Sequence, residues 1–357
     1  MHLTDLTPGR TAIIDNREHL FFSGFAYLGM HRSADFNARL AVGLERYGSV
    51  FPSSRISNLQ LSLYEKVEHA IGTLLHQQSA ACFSSGYLAA QGAIGYGYTK
   101  GEILYAPNTH PALQLPGATV PQAEWQEWMA RTVNLINQHN DHTYVIAADG
   151  VNPLTATIND FSALTAISKR TLVIIDDSHG LGLLGPDGEG CIHHLPKNPN
   201  LCYLLSASTA KAFSAEGGIV AGKAADIAAI KRMPVFTAST PIMPALAYAL
   251  LHSMDDYRQA KLTLEQNIRC FSELTQHIPQ IYQHAPLPVF LMEGPQEVYD
   301  YLLQHEVLIS SFRYPLPESP KLNRMVLSAL HLKEDLEHAA GLLHKFYFPT
   351  DKDTNYA

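Results

Sequence analysis

The sequence predicts an α/β protein, with a large domain carrying a mostly parallel sheet and a smaller α+β domain formed by both termini. Three observations lead there. The runs at 144–148, 171–175 and 201–205 are continuously apolar, as strands buried on both faces of a parallel sheet must be. Helical-looking segments such as 160–169 lie between them, which is the alternation of a βαβ crossover. The length, 357 residues, exceeds what one small core can organise, so a second domain is expected.

In chain order, 12–15 and 19–22 read as a short hairpin, followed by a turn at 27–29. Apolar residues at helical spacing predict a helix over 61–75, with Ser62 and Glu65 suggesting a capping box. Residues 79–83 form a short strand, and Ser84-Ser85-Gly86 leads into a second helix. Residues 102–105 are again strand-like, and the three buried runs follow. From about Met243 the chain turns helical, notably over 257–277. The C-terminal part reads as a strand at 287–291, a helix at 296–305, strands at 307–312 and 324–330, and a final helix. The expected boundaries are 1–45 for the N-terminal part of the small domain, 46–245 for the large domain and 246–357 for the C-terminal part of the small domain.

Composition excludes several classes. Hydrophobic residues at 46% and charged residues at 16% describe a well-buried globular chain. A net charge of −8 gives no reason to expect nucleic acid or an anionic membrane as partner. No apolar run reaches transmembrane length, and no signal-peptide pattern opens the chain. The four cysteines, Cys82, Cys191, Cys202 and Cys270, show no CxxC spacing, so a reduced cytoplasm is the simplest home. The 18 histidines lack zinc spacing with cysteine, and no metal is assigned.

Chemistry concentrates at two strand ends. Lys211 follows the apolar run 201–205 and sits among small, hydroxylated and apolar neighbours. An ammonium there is poorly solvated, which lowers its pKa and suits an imine-forming nucleophile. The run 171–175 ends in Asp176-Asp177-Ser178-His179-Gly180. A strand-end carboxylate and a lysine beyond the next strand meet the needs of pyridoxal 5′-phosphate. The aspartate keeps the pyridine nitrogen protonated and the lysine carries the cofactor as an imine.

The segment from Asp176 to Gly190 resembles D-(D/E)-A-H-x-x-G-x-x-G-x-x-G-x-G, and Ser208-Thr209-Ala210-Lys211-Ala212-Phe213 resembles T-x-x-K-x-(F/L). Both patterns belong to the α-oxoamine synthases, the 8-amino-7-oxononanoate synthase-like branch of the aminotransferase class I/II superfamily. The likeness runs from about Ile13 to the final helix. It implies a fold-type I pyridoxal phosphate-dependent transferase, with a three-layer large domain, working as a homodimer. Ser85-Gly86-Tyr87 resembles the family's S-G-(F/Y) turn, implying that its N–H groups hold the phosphate at a helix N-terminus. The resemblance gives Ser208 a hydroxyl bond to the same phosphate, and Thr240 a bond to it from the partner subunit. It implies that His110 stacks on the pyridine ring and that His179 contacts the cofactor's 3-oxygen. Arg324, in an R-x-x-x-S-A-x-H pattern, is implied to clamp the substrate's α-carboxylate, as a planar guanidinium can. Arg313 stands near a second basic position of the family.

Some segments depart from the pattern. The family's glycine-rich G-x-G-x-x-G-S-R loop retains here only Gly48, Ser54 and Arg55, with Phe51-Pro52 stiffer than glycines. Glu189 stands where relatives often have arginine. The first expectation is decarboxylative condensation of an amino acid with an acyl thioester, through a Lys211 aldimine and a stabilised Cα carbanion. An aminotransferase, or other Cα chemistry on the same scaffold, is the alternative. A purely non-catalytic scaffold would not need the Lys211–Asp176 pair.

Overall fold

A computed structural model describes residues 2–139, 141–152, 154–295, 297–313, 318–319 and 321–349. It groups the chain into two compact units, Ser33–Pro153 with Thr157–Asp255, and Met1–Arg32 with Leu154–Ala156 and Asp256–Ala357.

The larger unit holds a six-stranded sheet in the order Ser79–Phe83, Gly218–Gly222, Leu201–Ser208, Thr171–Asp176, Tyr144–Asp149, Glu102–Tyr105. Gly218–Gly222 runs antiparallel to both neighbours, and the remaining pairings are parallel. Every residue of Tyr144–Asp149 is buried, matching its unbroken apolar run. The helix Gly86–Tyr98 packs against the sheet. Its Gly97 leaves room for Ile174, whose Cδ1 would lie 2.5 Å from an added Cβ.

In the smaller unit the predicted hairpin forms as Thr11–Ile14 and Arg17–Phe22, turning through Asp15 and Asn16 at positive φ. Residues Leu20, Phe21 and Phe22 pair in parallel with Val307, Leu308 and Ile309. The sheet then continues antiparallel through Lys321–Val326, Val289–Met292 and Ile281–Gln283. Both chain ends therefore build one sheet. His331 binds them further: its Nδ1 accepts the Ser328 N–H at 3.0 Å, its Nε2 donates to the Phe21 carbonyl at 3.0 Å, and its ring stacks on Phe22.

The units part at 32/33 and 255/256, and around the short stretch 154–156, where the sequence placed joins at 45/46 and 245/246. The cause is a helix unanticipated from sequence, Ala34–Tyr47, capped by Ser33 Oγ, which accepts the Phe36 N–H. A Cβ on its Gly43 would lie 2.9 Å from the Ala245 Cα, so it meets Pro244–His252 backbone to backbone. The two helices therefore stay in one unit.

Two local expectations change. The helix Ser62–Leu74 has Leu61 as its N-cap and no side-chain cap bond, so the Ser62–Glu65 capping box does not form. The stretch 160–169 makes only a 3-10 turn, Ser162–Ala166. Asn198 Nδ2 takes the carbonyls of Leu164, Thr165 and Ile167, and Asn137 Nδ2 takes that of Ala166. Carbonyls bound by side chains are no longer offered to a further helical turn.

Candidate active site

The parallel strands set out the site. Asp149 and Asp176 are cross-strand partners at the ends of adjacent strands, and Asp176 is in turn paired with Ser206. Beyond these ends lies a cavity of 210 Å³, the crevice position favoured for ligands in open α/β sheets. Gly86, Tyr87 and Ser208 line it at one side, and His110, Asp176, His179 and Lys211 complete the predicted residues in its wall.

At the first side Ser85 ends the strand connection in extended conformation and caps Gly86–Tyr98, its Oγ accepting the Leu88 N–H at 3.2 Å. Ser85 itself is not in the cavity wall. First-turn N–H groups have no intrahelical acceptor, so those of Gly86 and Tyr87 are free for an anion. Gly86 has no substitute at this position: a Cβ would lie 2.6 Å from Ser208 Cβ and 3.1 Å from its Oγ. The strand before it is fixed by Glu68, whose Oε1 accepts the Cys82 N–H at 2.9 Å and holds Arg55 Nη2 at 3.0 Å. Arg55 lies over the Tyr64 and Phe236 rings. This survivor of the glycine-rich loop thus braces the loop against the strand.

The charged groups are interlocked. Asp176 Oδ1 accepts the Ser178 N–H at 2.9 Å, leaving Oδ2 for a ring nitrogen. Asp149 Oδ2 accepts the His110 N–H at 2.9 Å. Burial pushes the Asp149 carboxyl well above its usual range, with the adjacent Asp176 charge adding to it and the His110 N–H and Lys211 opposing. Two neighbouring buried carboxyl groups disfavour joint ionisation, which is the direction in which Asp149 is shifted. His110 accepts the Ala112 N–H on Nδ1 at 3.1 Å. Partial desolvation lowers its pKa, Asp176 opposing the effect and Lys211 adding to it. A neutral ring, with its proton on Nε2, is suited to stacking on an aromatic heterocycle. Lys211 Nζ stands 2.9 Å from His179 Nε2. As an ammonium, Lys211 would donate to Nε2; as a free amine it could also accept from it.

Beneath these residues the loop 177–191 wraps a third carboxyl group. Asp177 is fully buried and accepts the Cys191 N–H at 2.8 Å. Burial raises its pKa to about 7, the Cys191 bonds and Lys211 opposing and Asp176 adding. Gly190, at φ +83, makes room for it, since a Cβ there would lie 1.9 Å from Asp177 Oδ2. Glu189 closes the loop, accepting the Asp187 N–H at 2.9 Å and facing His193 Nδ1 at 3.0 Å. The glutamate found in place of arginine thus serves the loop's own backbone.

The remaining predicted residues lie elsewhere. Thr240 is exposed between Pro234–Thr237 and Pro244–His252, outside the cavity wall. Arg324 and Arg313 sit on Lys321–Val326 and Val307–Arg313 in the smaller unit. The Arg324 guanidinium lies 5.0 Å over the Phe312 ring, and Arg313 Nη1 donates to the Ser319 carbonyl at 2.6 Å. Two cavity residues carry roles that sequence reading did not assign, Asp149 and Ser178. Ser178 was legible as the one departure from alanine in the D-(D/E)-A-H pattern. Among the described residues no cluster of three or more His, Cys, Asp or Glu is placed to hold a metal, and no helix is long and apolar enough to cross a membrane.

The donor set fits pyridoxal phosphate: a helix N-terminus beside Ser208 for the phosphate, Asp176 for the pyridine nitrogen and Lys211 for the aldehyde carbon. An 8-amino-7-oxononanoate synthase of Pseudomonas putida is 26% identical over 363 residues, covering 97% of this chain and 92% of the relative. Serine palmitoyltransferase of Sphingomonas wittichii has a TM-score of 0.83 at 18% identity, over 96% of this chain and 91% of that one. A serine palmitoyltransferase of S. paucimobilis with bound PLP–myriocin gives 0.82 at 17% identity, over the same shares. These two structures share the fold. The aminotransferase class I and II family model matches residues 53–343, a span containing the whole cavity wall. The chain belongs to the aminotransferase class I and II family.

Proposed function

We propose that this chain is a pyridoxal phosphate-dependent transferase that condenses an amino acid with an acyl thioester, releasing carbon dioxide and free thiol. The observation that carries the cofactor is the convergence of Lys211, Asp176, Ser208 and the Gly86 helix terminus on one cavity. Similarity to an 8-amino-7-oxononanoate synthase along 97% of the chain favours condensation over transamination.

The residues divide the work. The Gly86 and Tyr87 N–H groups and the Ser208 hydroxyl bind the phosphate dianion. The Asp176 carboxylate holds a proton on the pyridine nitrogen, and bound pyridoxal phosphate then supplies an electron sink for charge developing at the amino acid's Cα. Neutral His110 covers the ring without adding a competing charge, its backbone fixed by Asp149. Lys211, whose Nζ lies 2.9 Å from His179 Nε2, attaches the cofactor and passes a proton at Cα. Arg324 is assigned to the substrate carboxylate and Arg313 to a supporting role. Thr240 is assigned to the phosphate of a neighbouring subunit in a cytoplasmic homodimer.

Cofactor-loaded protein incubated with an amino-acid panel and acyl thioesters is expected to release free thiol and carbon dioxide together. Formation of a keto acid without thiol release would replace condensation with transamination.

A further inference from the structure

Ser178 joins two anchors that the site would otherwise hold separately. Its N–H donates to Asp176 Oδ1 at 2.9 Å, at the pyridine side. Its Oγ accepts the N–H of Ser208 at 2.9 Å, at the phosphate side. The residue is 8% exposed and lies in the cavity wall. Ser208 in turn has no slack, because its Cβ and Oγ abut Gly86 at the helix terminus. It also accepts the Ala210 N–H on Oγ at 3.3 Å, which starts the turn to Lys211. An alanine at 178, as the family pattern has it, keeps the bond to Asp176 but offers Ser208 no acceptor. A part-buried N–H that loses its acceptor is destabilised, so the backbone at 208 would shift toward another one.

We infer that Ser178 is a positioning residue whose hydroxyl holds Ser208 in register with the Gly86 helix terminus, so that phosphate affinity depends on it. This rests on the pyridoxal phosphate reading, and the two can fail separately. The role assigned to the Ser178 hydroxyl is to hold Ser208 through its N–H, and Ser208 is the residue assigned to the phosphate. Its contribution is therefore specific to ligands that carry the phosphate.

Apo-protein titrated with pyridoxal phosphate and with pyridoxal, followed by absorbance, tests this. S178A is expected to weaken pyridoxal phosphate about tenfold and pyridoxal by less than about twofold, the size of one lost hydrogen bond acting on one end of the ligand. In an S208A background the same change is expected to have little further effect, since coupled residues are non-additive. Hydrogen exchange at the Ser208 amide of the apo-protein should quicken in S178A. Equal weakening of both ligands, no weakening of either, or an undiminished effect in S208A overturns the assignment. Should S178A not fold, S178C, closer in size and a poorer acceptor, carries the same comparison. Wild-type protein that binds neither ligand sinks the cofactor reading instead.

Discussion

Lys211 and Asp176 have different jobs, and their substitutions should fail differently. Borohydride reduction of cofactor-loaded protein is expected to leave the pyridoxyl group on the peptide containing Lys211. K211A should lose both the adduct and activity; full activity in K211A would remove Lys211 from the mechanism. D176N keeps an acceptor for the Ser178 N–H but loses the charge that favours a protonated ring nitrogen. Cofactor should still bind in part, while kcat/KM falls by about two orders of magnitude, near 3 kcal/mol of transition-state stabilisation. Near-normal turnover in D176N would reduce Asp176 to a turn-capping residue. Steady-state assays alongside absorbance titrations separate these outcomes.

At the scale of elements, the helix Gly86–Tyr98 and the loop 177–191 shape the site from two sides. G86A places a methyl group 2.6 Å from Ser208 Cβ, so helix terminus and strand must part. Overpacking of this kind costs about 1–3 kcal/mol, and pyridoxal phosphate affinity should fall about tenfold or more with the fold retained by circular dichroism. Unchanged affinity in G86A would place the phosphate elsewhere. The loop carries a pH dependence through Asp177. Its folded pKa of about 7 lies above the ordinary carboxylate value, so the fold favours the neutral form. The stability it contributes is full below the unfolded pKa of about 4 and is lost as pH rises toward 7, with no further change above. D177N should therefore gain in Tm relative to wild type between about pH 4 and 7, giving a shallower profile. A wild-type slope in D177N melting curves would assign the titration to another group.

Considered as a whole molecule, the chain divides labour between a cavity-bearing unit and a unit closed by both chain ends. Thr240 and the segment 47–59 bring no side chain to the cavity wall of their own chain. A site completed by a second copy would use them, and obligate interfaces of that kind are large. Light scattering is expected to report a dimer at assay concentrations. Mixing K211A with T240A chains should recover activity through hybrid sites carrying both intact residues. A fully active monomer would sink the dimeric site, and failed complementation with a dimer present would remove Thr240 alone.

What the sequence determined by itself was whatever depends on local pattern and short spacing. Continuous apolar runs marked the central strands, and two motifs set the strand-end lysine and carboxylate in order. It could not give the helix Ala34–Tyr47 its place, although Ser33 and the spacing of Phe36, Leu40, Gly43 and Tyr47 were suitable signals. Its unit is decided by a backbone contact at Ala245, some two hundred residues away in the chain. The stretch 160–169 looked helical because competition from Asn137 and Asn198 for its carbonyls is invisible along the chain. The same holds within the site. Sequence order put Asp176, Ser178 and Ser208 near strand ends, but only cross-strand pairing turned Ser178 toward the Ser208 N–H and set Asp149 beside Asp176. Burial likewise raises the Asp149 pKa, because the cost of charge depends on the packed surroundings and not on the residue's neighbours in sequence.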